Sequence, residues 1–402
     1  MATQGHSRDV VVLSGKRTGF GTFGGSLKDF TATQLGVFAS KAAIEAAGIS
    51  ADQVDHTFIG NALQTSSDSI YLARHVALQS GVPQEKPALT VNRLCGSGFE
   101  AIVQGAKEIV LGEADVCLTG GTESMSQAPH VVRGARWGKQ LRLGPAGGQF
   151  EDLLWEALLD TNCRLTLAHT SSELSERYDL TREESDAVAV ASQERAKAAW
   201  DAGHFDAEIT EVVIEGRKGV TTYAADEHMR PDTSMEALAK LRPYFKKDGL
   251  VTAGNASGIG DGAASAVLAS ADWAAANGVE PIGRIVSWGF VGVEPQVMGI
   301  GPAPSARLAL EKAGMSLDDM DLVEVNEAFA PQYKSVEKEL GLDPDITNVN
   351  GGAIAITHPL AASGARITIH LIHELRRRGK KYGLGSACIG GGQGGAVIVE
   401  AF

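Results

Sequence analysis

Four cysteines in 402 residues, at positions 95, 117, 163 and 388, are too scattered for a metal-ligand pattern and point to free thiols in a reducing compartment. No apolar run approaches the roughly 20 residues of a membrane span. The segment 1–8 is short and polar, without the apolar stretch of a secretory leader or the arginines of a transit peptide. No peroxisomal or prenylation signature stands at Phe402. There is no basic excess either: a net charge of −13 argues against nucleic acid and anionic membranes as partners, although a local patch can still receive an anionic small molecule. A cytoplasmic protein is expected, with the mitochondrial matrix as the alternative in a eukaryote.

What is present is a soluble globular composition, 44% hydrophobic and 21% charged, long enough for two or three domains. The chain also repeats itself. Residues 44–55 resemble residues 310–321, and Ser97 and Gly98 match Ser363 and Gly364 at the same offset of 266. In both halves a helix and a Gly-rich apolar strand follow, near 116–121 and 386–391. A shared offset over that span indicates a duplicated α/β unit. Each half reads as alternating strands and helices, which implies sheets covered by helices. Between them lies a more charged stretch with Arg133, Arg136, Lys139 and Arg142 and the run 241–247. The expected division is a first core of 1–125 plus 252–275, an inserted loop domain of 126–251, and a second core of 276–402.

Chemistry concentrates in four segments. In NRLCGSG (92–98), Cys95 lies between an apolar strand over 87–91 and a helical pattern over 99–110. Helix N–H groups and the positive dipole end favour thiolate, the nucleophilic form. Alone, such a cysteine reads as a small buried hydrophobe. At the 266 offset Cys95 corresponds to Ala361, just after His358, so two related turns bring a cysteine and a histidine together, the pair needed for an activated thiolate. The glycines of SACIGGGQG (386–394) read either as a hairpin or as N–H donors of an oxyanion hole. Cys388 within it has a pKa suited to acid–base work. Asn326 of NEAFA (326–330) ends a strand, and its amide can hold a water or orient a carbonyl.

These stretches, with TAGNASG (252–258), resemble the thiolase family. SDSIYLAR (67–74), GTESMS (121–126), DLVEVN (321–326) and HELRRR (373–378) are similar to its mitochondrial-type 3-ketoacyl-CoA members. The resemblance covers nearly the whole chain and is weakest around 135–180. It implies an α/β fold of duplicated cores in five layers, α-β-α-β-α, with an inserted loop domain over the CoA. It implies a Cys95 nucleophile activated by His358, with Cys388 as acid and base. One oxyanion hole would be the N–H groups of Cys95 and Gly390, and the other His358 with a water on Asn326. Ser257 and Ala253 would face CoA, and Arg230 its adenine. The implied reaction is thiolytic cleavage of 3-ketoacyl-CoA to acetyl-CoA and a shortened acyl-CoA. CoA is then a substrate and no resident cofactor or metal is implied; the partners are CoA and acyl-CoA, and the assembly a homodimer or homotetramer. The alternatives are acetoacetyl-CoA synthesis and an acyl-CoA-binding scaffold.

Two departures from the family pattern stand out. Around the histidine the family reads Gly-His-Pro-Leu-Gly, whereas this chain has Thr357 and Ala361 at the glycine positions. Strain is expected wherever φ is positive, along with a reshaped acyl pocket or slower turnover that leaves the mechanism in place. The run 167–173 also departs, leaving His169 as a pocket residue or a surface residue at a helix start.

Overall fold

The computed structural model describes residues 9–133, 136, 150–216 and 219–402. The polar opening segment 1–8, Lys139 and Arg142 lie outside the described residues.

The spine is nine strands: β1 (Val10–Thr18), β2 (His56–Gly60), β3 (Ala88–Val91), β4 (Val116–Ser124), β5 (Gly260–Ser270), β6 (Gly283–Gly292), β7 (Leu322–Val325), β8 (Tyr382–Ile389) and β9 (Gln393–Ala401). Their hydrogen-bonded order is β7-β8-β9-β6-β1-β5-β4-β2-β3, and the short strands Gly21–Thr22 and Ile209–Thr210 pair with β5 and β1. Only Val11 opposite Arg284 and Val12 opposite Gly283 join β1 to β6, so the continuous sheet is two half-sheets meeting at a narrow seam.

Period-two alternation fixes what each face covers. On β5, Ala264, Ala266 and Leu268 face one core while Val267 and Ala269 face another. On β9, Val397 and Val399 face the first of those cores, and Ala396 and Ile398 face a third. The shared core is filled by α2 (Ser97–Leu111) and α7 (Leu360–Arg378), through Phe99, Ile102, Ile367 and Leu371. Burying each such side chain contributes about 1.5–3 kcal/mol. The outer faces are covered by α1 (Ala32–Ala46) on one half, and by α5 (Pro302–Ala313) and α6 (Ala330–Leu340) on the other. The result is the five-layered α-β-α-β-α arrangement.

The offset of 266 carries β2 onto β7, β4 onto β8 and α2 into α7. It also explains how the central helices meet. A Cβ on Gly98 would collide with the backbone of Ala365, and one on its counterpart Gly364 with that of Phe99. Glycine at both places lets the two helix starts, and hence the turns before them, come together.

Between β4 and β5 the described residues form three small two-stranded pairs, 130–132 with 150–152, 159–160 with 165–166 and 212–216 with 219–223, together with the helices α3 (Leu167–Arg177) and α4 (Arg182–Asp201). Thr181 caps α4 reciprocally with Glu184. A buried ion cluster ties this region down: Arg17 of β1 pairs with Glu208 at 2.6 Å and Asp226 at 2.7 Å.

Candidate active site

Cys95 sits in a tight turn, Leu94–Gly96, between β3 and α2. Leu94 takes φ 47, and the turn is locked by Leu94 N–H donating to Asn92 Oδ1 (2.9 Å) and Ser97 Oγ donating to Leu94 O (2.7 Å). Arg93 braces it from behind, donating to Glu100 and Gln393 and lying 4.6 Å from the Phe290 ring centre. The thiol is buried, and the nearby backbone N–H groups of Gly390 and of Cys95 itself favour a charge on its sulfur. Gly391 and Gly392 make the β8–β9 turn, with φ 81 and 82 that only glycine adopts freely, and this brings Gly390 to Cys95. SACIGGGQG is therefore both a hairpin and a source of N–H donors.

His358 lies two residues before α7, its own N–H donating to Gly258 O (2.9 Å). Its Nδ1 is 2.5 Å from Ser363 Oγ, which also reaches Pro359 O at 3.1 Å. With the Ser363 hydrogen on Pro359 O, the Nδ1–H donates to Ser363 Oγ, and Nε2 keeps its lone pair. Nε2 faces Asn326 Nδ2 at 3.3 Å. Asn326 Oδ1 is buried with no hydrogen-bond partner, and Asn326 stands behind His358 without lining the cavity. Cys388, at the end of β8, is buried and lines the same cavity, where a charge on Cys95 opposes one on Cys388.

Burial dominates the electrostatics. It pushes the Cys95 thiol up to about 12 against the pull of the Gly390 and Cys95 N–H groups, and raises Cys388 as well. It lowers His358 to about 3, with Arg366 adding to the effect. The pair thus rests as thiol and neutral imidazole. The thiolate expected from the helix dipole is not the resting state: the helix starts two residues later, at Ser97, and desolvation outweighs its field.

Cys95, His358, Cys388 and Ser257 line one cavity of about 660 Å³, with Met125 and Phe329 among its apolar walls. Arg230 and Ala253 line a neighbouring surface groove with Gln193 and His228. His169 is half-buried near the start of α3, its Nδ1 2.7 Å from Thr166 Oγ1, and does not line the cavity. Thr357 adopts φ 78 and ψ 169, whereas Ala361 lies within α7 and is unstrained. Neither side chain lines the cavity, although Thr357 Oγ1 donates to the carbonyl of Gly258, which does.

Sequence reasoning gave no role to Ser363 or Glu123. Ser363 follows His358 by five residues on the same turn-helix unit, a spacing that was there to be read. Glu123 is a fully buried acid on β4, pushed up to about 7 by burial. It accepts from Ala62 N–H (3.1 Å), Leu63 N–H (2.9 Å), Asn61 Nδ2 (3.0 Å) and Ala361 N–H (3.1 Å), pinning the first turn of α7 beside the site.

A buried Cys–His–Cys set on paired strand-helix turns, with N–H groups near one sulfur, is an arrangement for acyl transfer. Family models agree: "Thiolase, N-terminal domain" matches residues 10–272 and "Thiolase, C-terminal domain" residues 279–401. The chain belongs to the thiolase family. It is 56% identical to the mitochondrial 3-ketoacyl-CoA thiolase of Homo sapiens over 98% of both chains. It is 47% identical to Beta-ketothiolase BktB of Cupriavidus necator over 98% of this chain and 99% of that one. The crystal structure of human mitochondrial 3-ketoacyl-CoA thiolase in complex with CoA superposes with a TM-score of 0.95, at 55% identity and 98% coverage of each chain.

Proposed function

We infer that the protein is a 3-ketoacyl-CoA thiolase, an acyltransferase that cleaves 3-ketoacyl-CoA with CoA. The observation that carries the mechanism is the convergence of Cys95, His358 and Cys388 on one cavity, with Gly390 beside Cys95. His358 Nε2 takes the Cys95 proton as the thiolate attacks the C3 ketone, and the developing oxyanion is received by the N–H groups of Cys95 and Gly390. The C2–C3 bond breaks and its electron pair passes to C2 as an enolate. Protonated His358, with a water on Asn326 Oδ1, holds the enolate's thioester oxygen. Cys388 gives its proton to C2, releasing acetyl-CoA. The incoming CoA thiol returns a proton to Cys388 and attacks the acyl group on Cys95. A shortened acyl-CoA leaves, and Cys95 recovers its proton from His358.

Ser257 in the cavity and Arg230 and Ala253 in the adjoining groove give a path for CoA, which is substrate here; the reading assigns no resident cofactor or metal. The division into 1–125 plus 252–275, 126–251 and 276–402 goes with it. So does a homodimer or homotetramer: β3 is the last strand of the sheet, with Leu89 exposed, and Ile70 and Tyr71 stand exposed at the start of the helix packed beside it. The mitochondrial names of the mammalian relatives favour the matrix over the cytoplasm for a eukaryotic source.

The test is thiolysis of 3-ketoacyl-CoAs from acetoacetyl-CoA to long chains, by wild type and Cys95→Ser. Cleavage that disappears in the variant supports the reading, and activity confined to acetoacetyl-CoA would favour the synthetic alternative. CoA binding without cleavage of any substrate would leave a scaffold.

A further inference from the structure

A second cavity, of about 570 Å³, meets the first at Cys95. Leu94, Leu158, Leu167 and Leu360 form apolar walls, and Gly390 and Gly391 form the edge nearest the sulfur. Asp160 and Thr161 supply the polar part, and Asp160 is the only charged side chain among the described residues that line it.

Asp160 ends the short strand Leu159–Asp160, which pairs with Leu165–Thr166. Its Oδ1 caps the turn, accepting from Asn162 N–H at 2.8 Å and Cys163 N–H at 3.4 Å. That structural role uses one oxygen. The other, Oδ2, is buried without a hydrogen-bond partner. A turn cap alone leaves this second oxygen unexplained.

The ketone carbon attacked by Cys95 carries two arms, one leading through C2 to the pantetheine and one being the rest of the acyl chain. Two cavities meeting at the sulfur give each arm its own space. The first holds Ser257; the second is bounded by Gly390, whose N–H faces the oxyanion. Resting on the thiolase reading, we propose that the second cavity takes the acyl chain and that Asp160 excludes chains ending in a carboxylate, making the protein selective for neutral acyl groups. A carboxylate entering between leucine walls would lose its water and meet a like charge, a repulsive element that discriminates without weakening the binding of alkyl chains.

The experiment compares kcat/KM for thiolysis of two 3-ketoacyl-CoAs of equal carbon number, one ending in methyl and one in carboxylate. It uses wild type, Asp160→Asn and Asp160→Ser; both replacements keep an oxygen to cap the turn, and unfolding midpoints verify folding. The methyl-ended substrate is expected to be preferred by about 30-fold or more in wild type, and that preference to fall by about sixfold or more in the variants, where the leucine walls still desolvate a carboxylate but the like charge is gone. Comparable rates on both substrates in wild type, or a preference that both replacements leave unchanged, overturn the assignment. Cleavage of neither substrate by wild type overturns the thiolase reading, and this inference with it.

Discussion

Thr357 sits where glycine would be expected to be the more comfortable residue, and the structure says by how much. Its φ of 78 and ψ of 169 lie in a region that costs a residue with a Cβ about 1–3 kcal/mol. Against that cost, Oγ1 donates to Gly258 O at 2.6 Å, a bond contributing about 1 kcal/mol. The buried methyl adds about 0.8 kcal/mol. Thr357→Ala loses both contributions and keeps the backbone penalty, so it destabilises by about 2 kcal/mol. Thr357→Gly loses the same two and gives the unfolded chain about 0.4–1 kcal/mol of extra freedom, but releases the strain. The glycine variant therefore ends about 1 kcal/mol more stable than the alanine variant, the reverse of the ordinary order. Thr357→Ser, which keeps the hydroxyl, falls by about 1 kcal/mol or less. Thermal unfolding at matched scan rates resolves this, since in a chain of this length 1 kcal/mol moves the midpoint by roughly 1–2 °C. An alanine variant as stable as the glycine variant would refute the argument. The acyl-length profile of Thr357→Gly should match wild type, because Thr357 lines neither cavity at Cys95.

Ser363→Ala frees the His358 tautomer and should lower kcat by about ten- to a hundredfold, part of the ~10²–10⁴ that a positioned base supplies, while KM stays near wild type and Ser363→Thr recovers part of the loss; a kcat unchanged in Ser363→Ala would remove Ser363 from the positioning of His358. Glu208→Gln leaves buried Arg17 with Asp226 alone and should cost about 3 kcal/mol by denaturant unfolding at neutral pH. Burial alone would raise the Glu208 carboxyl, but His370 and Arg17 hold it well below its usual 4.5. Its contribution is therefore full above about pH 4.5 and fades as pH falls toward the folded value, so wild type and variant should converge in acid. His370, raised above 6.5 by Glu208 against its burial, contributes fully below that pH and loses its part as pH rises through the folded value. A gap between wild type and variant that stays constant down to strong acid would contradict this.

Local signals in the sequence located the machinery well. The apolar run, the glycines and the helical periodicity around Cys95 place it between β3 and α2, and the offset of 266 leads to the turn that holds His358. Strand β7 and the Asn326 that follows it were also legible from an apolar run and its polar end. What escaped depends on partners distant in the chain. Glu123 acts through residues 61–63 and 361, and no local pattern announces that set. The state of Cys95 escaped because the dipole at a helix start can be read from sequence, whereas the depth of burial that overrides it cannot. Thr357 and Ala361 look equivalent as departures from glycine. Only the backbone separates them, placing one at positive φ and the other inside α7.

The central claim is that the acyl group passes through Cys95. The most direct measurement is mass spectrometry of protein quenched after mixing with a 3-ketoacyl-CoA in the absence of free CoA. A thioester adduct, with the mass of the shortened acyl group, is expected on the peptide that contains Cys95; added CoA should discharge it at the rate of turnover. Turnover without an adduct at Cys95, or a discharging adduct carried by Cys388 instead, would contradict it.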